Sequence, residues 1–202
     1  MYLLCSSIVQ TFNVDKMIKY VYIFLLGLVV LSCGEEECCD IAADDTVLNY
    51  DGDNFIAPTL PPGDYVFAIR LPTTTLNRLA SQSIKSVQVY MYDIPTDISL
   101  VIYNESGNLP SGELYRQNIT SDLSANGWNL INLTTPFMVE GSTLWVGIDV
   151  DLDRLQQSVG CDRGPASPNG DWLYDSTDDQ FIRFANRVND SVNWNIRVTV
   201  GE

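Results

Sequence analysis

The chain has 202 residues, 26 acidic and 11 basic, for a net charge of −15, and it contains no histidine. That balance leaves no basic footprint for nucleic acid. The missing histidine removes Ser-His and Cys-His triads, the usual general base and the commonest nitrogen ligand for metals.

The first predicted element runs from Met17 to Cys33. Lys19 precedes an unbroken apolar stretch, Tyr20 to Leu31, which ends on Ser32 and Cys33. A basic start, a short apolar run and a small residue at the cut make a secretory signal over residues 17–32. Twelve apolar residues give roughly 18 Å of helix against about 30 Å of hydrocarbon, too short to span. Residues 1–16 form no part of this signal, so Met17 is the better start and the upstream stretch reads as a non-native leader. Without residues 1–32, which hold Lys16, Lys19 and Asp15, 9 basic and 25 acidic residues remain, a net charge of −16. Val30-Leu31-Ser32-Cys33 resembles the lipobox of bacterial lipoproteins. The resemblance implies acyl chains on Cys33 and a membrane partner reached through them, each buried methylene contributing about 0.8 kcal/mol.

Residues 33–46 read as an acidic tether. Glu35-Glu36-Glu37 is either a self-repelling spacer or, by resemblance to Bacteroidetes lipoproteins, a signal for the outer face of the outer membrane. Cys38, Cys39 and Cys161 leave one thiol over in an exported protein, with a bridge from Cys161 to either partner open. Their spacing, with no histidine to complete it, does not suit zinc.

Residues 47–202 read as one all-β domain, made of short alternating runs punctuated by Gly, Pro, Asn and Asp. Leu76, Leu79 and Ala80, following threonines able to cap, predict one short helix near residues 75–81. Residues 85–92 alternate, with Val87, Val89 and Met91 opposite Gln88, Tyr90 and Tyr92. Residues 98–103 are apolar on both faces, as in a central strand. Residues 144–152 give the clearest strand, with Leu144, Val146, Ile148, Val150 and Leu152 on one face and Trp145, Gly147, Asp149 and Asp151 on the other. Residues 193–200 close the pattern with Trp194, Ile196, Val198 and Val200 on one row.

Four pieces in fixed order resemble a jelly-roll-like β-sandwich found in secreted and surface proteins of Bacteroidetes. They are Tyr65–Leu71 with the helix after it; Ile84–Tyr90 leading to Leu100–Tyr103 and a turn over Leu109–Leu114; Gly127–Leu133 followed by Leu144–Gly147; and Asp162–Ala166, Gly170–Trp172 and Asn193–Val198. The match covers about residues 47–200. It implies an antiparallel sandwich with a surface habitat, related to carbohydrate-binding and adhesin-type modules. It implies no particular chemistry, because sandwiches host many functions.

Asp149, Asp151 and Asp153 alternate and so share one side of an extended chain, where clustered carboxylates suit calcium. Asp162 or Asp171 would complete the cage if their loop folds back. Asn49–Asn54 is a second oxygen-rich turn, with a plain Asp-Gly turn as the simpler account. No cofactor is otherwise required. Trp145, Trp172, Tyr90, Tyr92 and Tyr103 are candidate ligand contacts, since flat rings pack on the C–H faces of sugars; as core aromatics they would instead be buried. The expected function is non-catalytic binding by a lipid-anchored envelope protein, with a glycan as ligand. The alternatives are a subunit that binds another envelope protein, and a hydrolase built on a carboxylate pair.

Overall fold

The computed structural model describes residues 44–188 and 190–202. The signal segment, Cys33, Cys38, Cys39 and the glutamate run lie outside the described residues. Among the described residues, no helix is long and apolar enough to cross a membrane.

Among the described residues twelve strands occur in chain order: β1 Thr46–Leu48, β2 Thr59–Leu60, β3 Gly63–Leu71, β4 Ser83–Met91, β5 Asp97–Ser106, β6 Leu109–Asn118, β7 Gly127–Met138, β8 Leu144–Leu152, β9 Gln156–Gln157, β10 Trp172–Asp175, β11 Gln180–Arg183 and β12 Ile196–Gly201. Their antiparallel pairings nest inside one another. β5 pairs with β6, β4 with β7, β3 with β8, β2 with β9 and β1 with β12. Residues 46–201 thus form one long double-stranded hairpin wound into a sandwich. Winding adds the lateral pairs β12 with β4 and β8 with β5. One sheet runs β1-β12-β4-β7 and the other β11-β10-β3-β8-β5-β6. This is jelly-roll winding, and the predicted fold class is the one observed. The β10–β11 hairpin is an addition that extends the second sheet beyond β3.

Strand periodicity places the core. The row Leu144, Val146, Ile148, Val150 and Leu152 faces inward, as do Val87, Val89 and Met91 and the row Trp194, Ile196, Val198 and Val200. Beside the β8 row, on the same sheet, stand Tyr65, Phe67, Ile69 and Leu71 of β3, a set to which the sequence assigned no strand face. Trp194 is fully buried, lies edge-on to Phe67 at 5.0 Å and packs against Phe184 at the same distance. Its indole N–H donates to the Trp172 carbonyl at 2.7 Å.

Two local expectations are corrected. The helical stretch begins earlier than residue 75, with α1 at Thr73–Leu76 and a 3₁₀ turn at Asn77–Leu79. Pro72 precedes it in extended geometry, since proline cannot donate into a helix yet starts one readily. Leu76 and Leu79 are buried as the pattern required. The turn placed at Leu109–Leu114 is instead the first half of β6. The reversal sits one step earlier, at Gly107 and Asn108, both with positive φ. Two such residues between paired Ser106 and Leu109 make the hairpin turn whose twist suits flanking strands. Pro110 is tolerated because β6 is an edge strand. A further helical turn, α2 at Phe184–Val188, was not anticipated.

Replacing Trp194 by Ala removes a fully buried indole together with its hydrogen bond, and should cost about 3–5 kcal/mol. The lowered urea midpoint would be read by circular dichroism.

Candidate functional site

The outer face of the six-stranded sheet carries the groove of interest. β8 lies at its centre, between β3 and β5, so three outward rows run side by side. Across the open end, Asp64 stands opposite Asp151 and Asp151 opposite Asp97. In the next row Val66 stands opposite Asp149, and Asp149 opposite Ser99. One step further, Gly147 separates Ala68 from Val101. A Cβ on Gly147 would fall 2.9 Å from the Val66 side chain and 3.2 Å from the Phe67 carbonyl, so this position keeps the floor low. Beyond it Trp145 closes the floor.

The resulting concavity has a volume of about 440 Å³ and is lined by the four aspartates together with Val66 and Ser99 on the floor. Tyr103, Tyr174, Phe181 and Arg116 form its sides. The rings support one another: Tyr174 and Phe181 are 5.3 Å apart, and Tyr103 lies edge-on to Phe181 at 6.4 Å. Tyr174 is further held by its hydroxyl, which donates to Asp179 at 2.8 Å. Burial, and then the neighbouring Asp149 carboxylate, push the Tyr103 phenol up to about 12, so at neutral pH it remains a hydrogen-bond donor. Arg116 donates to Asp149 at 2.7 Å and to Glu113 at 2.7 and 2.9 Å.

The expected site residues fall into separate places. Tyr103 lines the groove, as do Asp149 and Asp151. Trp145 is fully buried, which removes it as an exposed sugar platform. It packs edge-on against Trp172 at 5.1 Å, beneath the Arg70 guanidinium at 5.9 Å, and donates to Glu105 at 3.1 Å. The outward face of β8 is covered at this end because the β10–β11 hairpin lays a second layer over it. Trp172 is half-buried in that layer, and its N–H donates to the Pro168 carbonyl at 3.0 Å. Tyr90 belongs to β4 of the other sheet and Tyr92 lies just past its end, the rings 5.3 Å apart, with Tyr90 edge-on to the exposed Trp128.

The calcium cage expected of Asp149, Asp151 and Asp153 does not assemble. Among the described residues no group of three carboxylate, Cys or His side chains is placed to hold a metal ion. Asp153 lies past the end of β8, beside Arg154. Asp162 accepts from the backbone N–H groups of Gly164 and Asn193 at 2.7 Å and of Gly52 at 3.0 Å. Asp171 is paired with Arg183 and accepts from the Ala185 N–H. Both are committed to loop structure and do not turn back toward Asp149. In the second oxygen-rich turn, Asp51 accepts from Arg197 and Asn195 at 2.9 Å each.

Tyr174, Phe181, Asp64, Asp97, Ser99 and Arg116 are groove residues that sequence reasoning missed. Asp64 and Asp97 begin strands, and only the β3–β8–β5 register reveals that they flank Asp151.

Two carboxyls near this face are held below their ordinary range. For Glu105 the cause is hydrogen bonding from Arg70, opposed by burial and aided by the Trp145 N–H. For Asp175 burial pushes upward but is outweighed by bonds from Thr177 and Arg187. Stability from such depressed carboxyls is present above their unfolded values near pH 4 and is lost as pH falls through the folded ones.

No protein-family model matches the chain, and no curated protein matches it. Among solved structures it is similar to the clostridial cysteine protease Cwp84 after propeptide cleavage, at 9% identity and a TM-score of 0.59, over 80% of this chain and 41% of that one. It is also similar to a structure of the cysteine protease and lectin-like domains of Cwp84, a surface layer associated protein of Clostridium difficile. That match has 10% identity and a TM-score of 0.56, over 80% of this chain and 37% of that one. The chain therefore spans about two fifths of the length of these structures. At such identity the likeness shows a shared fold.

Urea midpoints should fall as pH is lowered from 6 to 3. The Arg70→Leu variant should show a lower midpoint at pH 6 and a shallower decline, because Glu105 then titrates nearer its unfolded value.

Proposed function

We propose that this is a non-catalytic binding module that holds a glycan in the groove over β3, β8 and β5. The groove itself carries the reading. It offers flat aromatic sides for C–H faces, with carboxylates and a serine hydroxyl for sugar hydroxyls, in a volume at the lower end of small-ligand sites. Its fold likeness to a chain that includes a lectin-like domain supports the same reading. So does the absence of histidine from the sequence, which leaves no imidazole general base. In this proposal the module belongs to the bacterial envelope and is tethered to the outer membrane by acyl chains on Cys33.

Glycan-array binding by the full chain tests the site. Tyr174→Ala and Phe181→Ala should each weaken a positive signal about 10-fold, from the loss of one ring's stacking. A blank array would instead favour an envelope-protein partner. For that reading the exposed Trp128, Leu130 and Met138 along β7 provide the surface.

Radiolabelled palmitate tests the tether. Incorporation should be lost in Cys33→Ala, and unchanged labelling would refute the anchor.

A further inference from the structure

We propose that the groove is selective for a glycan bearing free amino groups, with an ammonium seated over the row Asp64, Asp151 and Asp97. The inference rests on the glycan reading above and adds the charge of the ligand.

Three carboxylates stand side by side across adjacent strands, and like charges directly opposite one another in a sheet are destabilising. Asp97 accepts from the neutral side chains of Asn118 at 2.6 Å and Thr120 at 3.3 Å, and no basic residue pairs with the row among the described residues. The one cation in the groove, Arg116, is held by Glu113 and Asp149. Several buried acids elsewhere do have an arginine partner: Asp171 has Arg183, Asp175 has Arg187 and Asp51 has Arg197.

Ser99 points independently to a ligand. Its side chain lies on the groove floor, the residue is only 7% exposed, and its hydroxyl has no hydrogen-bond partner among the described residues. A largely buried serine whose hydroxyl opens onto the groove without a protein partner is a position that a bound polar group completes.

The geometry narrows the class of cation. A bare divalent ion needs oxygens converging at about 2.3–2.6 Å, and no such convergence exists among the described residues. An organic ammonium suits a spread row of acceptors, and the rings of Tyr174, Phe181 and Tyr103 add attraction for a cation over their faces. An extended basic peptide is less well served. The groove lies over interior strands whose backbone groups are paired on both sides, so there is no free edge for strand addition.

Calorimetric titration of the full chain with a glucosamine tetramer, an N-acetylglucosamine tetramer and tetralysine decides the matter. The free amine should bind at least about 10-fold tighter than the acetylated sugar, as expected for a charge-assisted contact. Asp151→Asn and Asp64→Asn should abolish that preference. Without ligand, each variant should melt about 1–2 °C higher, since opposed charges are relieved; a lower melting temperature would overturn the uncompensated row. Equal binding of both sugars overturns the charge selectivity and leaves the glycan reading standing. Binding of tetralysine alone, or of neither sugar, overturns both.

Discussion

Strand β8 is hydrogen-bonded along both sides, over nine residue pairs to β3 and seven to β5. Neither edge can slip. A shift of one residue would send its aliphatic row outward and its Trp145, Gly147, Asp149 and Asp151 row into the core. Double pairing therefore fixes a gradient along one strand: a buried indole, a glycine floor, then carboxylates in the open. The groove is the space above that gradient. Its depth depends on β10 and β11, which cover the indole end and leave the acidic end uncovered.

The distribution of arginines follows the loops more than the net charge. Arg183, Arg187 and Arg197 come from the last quarter of the chain, and each reaches a carboxylate that is nearly or fully buried. Pairs of this kind are a poor guide to net stability, because desolvation offsets much of the attraction. Breaking one would leave a buried charge alone, so the Arg183 and Arg187 pairs hold the long segment between β9 and β12 in one arrangement, and the Arg197 pair ties β12 to the loop after β1. Positive charge placed there is not available to the groove.

Much of the fold was legible because alternation is a backbone property. The inward rows of β4, β8 and β12 and the burial of Trp194 follow from period two alone. The reversal at Gly107-Asn108 was missed because Pro110 and Gly112 looked like the stronger turn signal, although an edge strand accepts both. The site was less legible. Residue types were identifiable, and Tyr103, Asp149 and Asp151 do line the groove. Which of them meet depends on register between strands far apart in sequence. Trp145 shows the limit most clearly. Alternation places it on the outward face, but outward is not the same as exposed when a hairpin some 30 residues later folds over it.

The nested winding also orders events in time. β12 contains the final strand residues of the domain, yet it occupies an interior position between β1 and β4. While the chain is being made, the first strand has no neighbour until the end has emerged, and β4 keeps an unpaired edge. Contacts of such long sequence separation form slowly, and open strand edges in the interval invite association with other chains. The sandwich cannot be completed piece by piece from its amino end; a nascent chain of this design depends on being kept apart from its neighbours until the last strand is inserted.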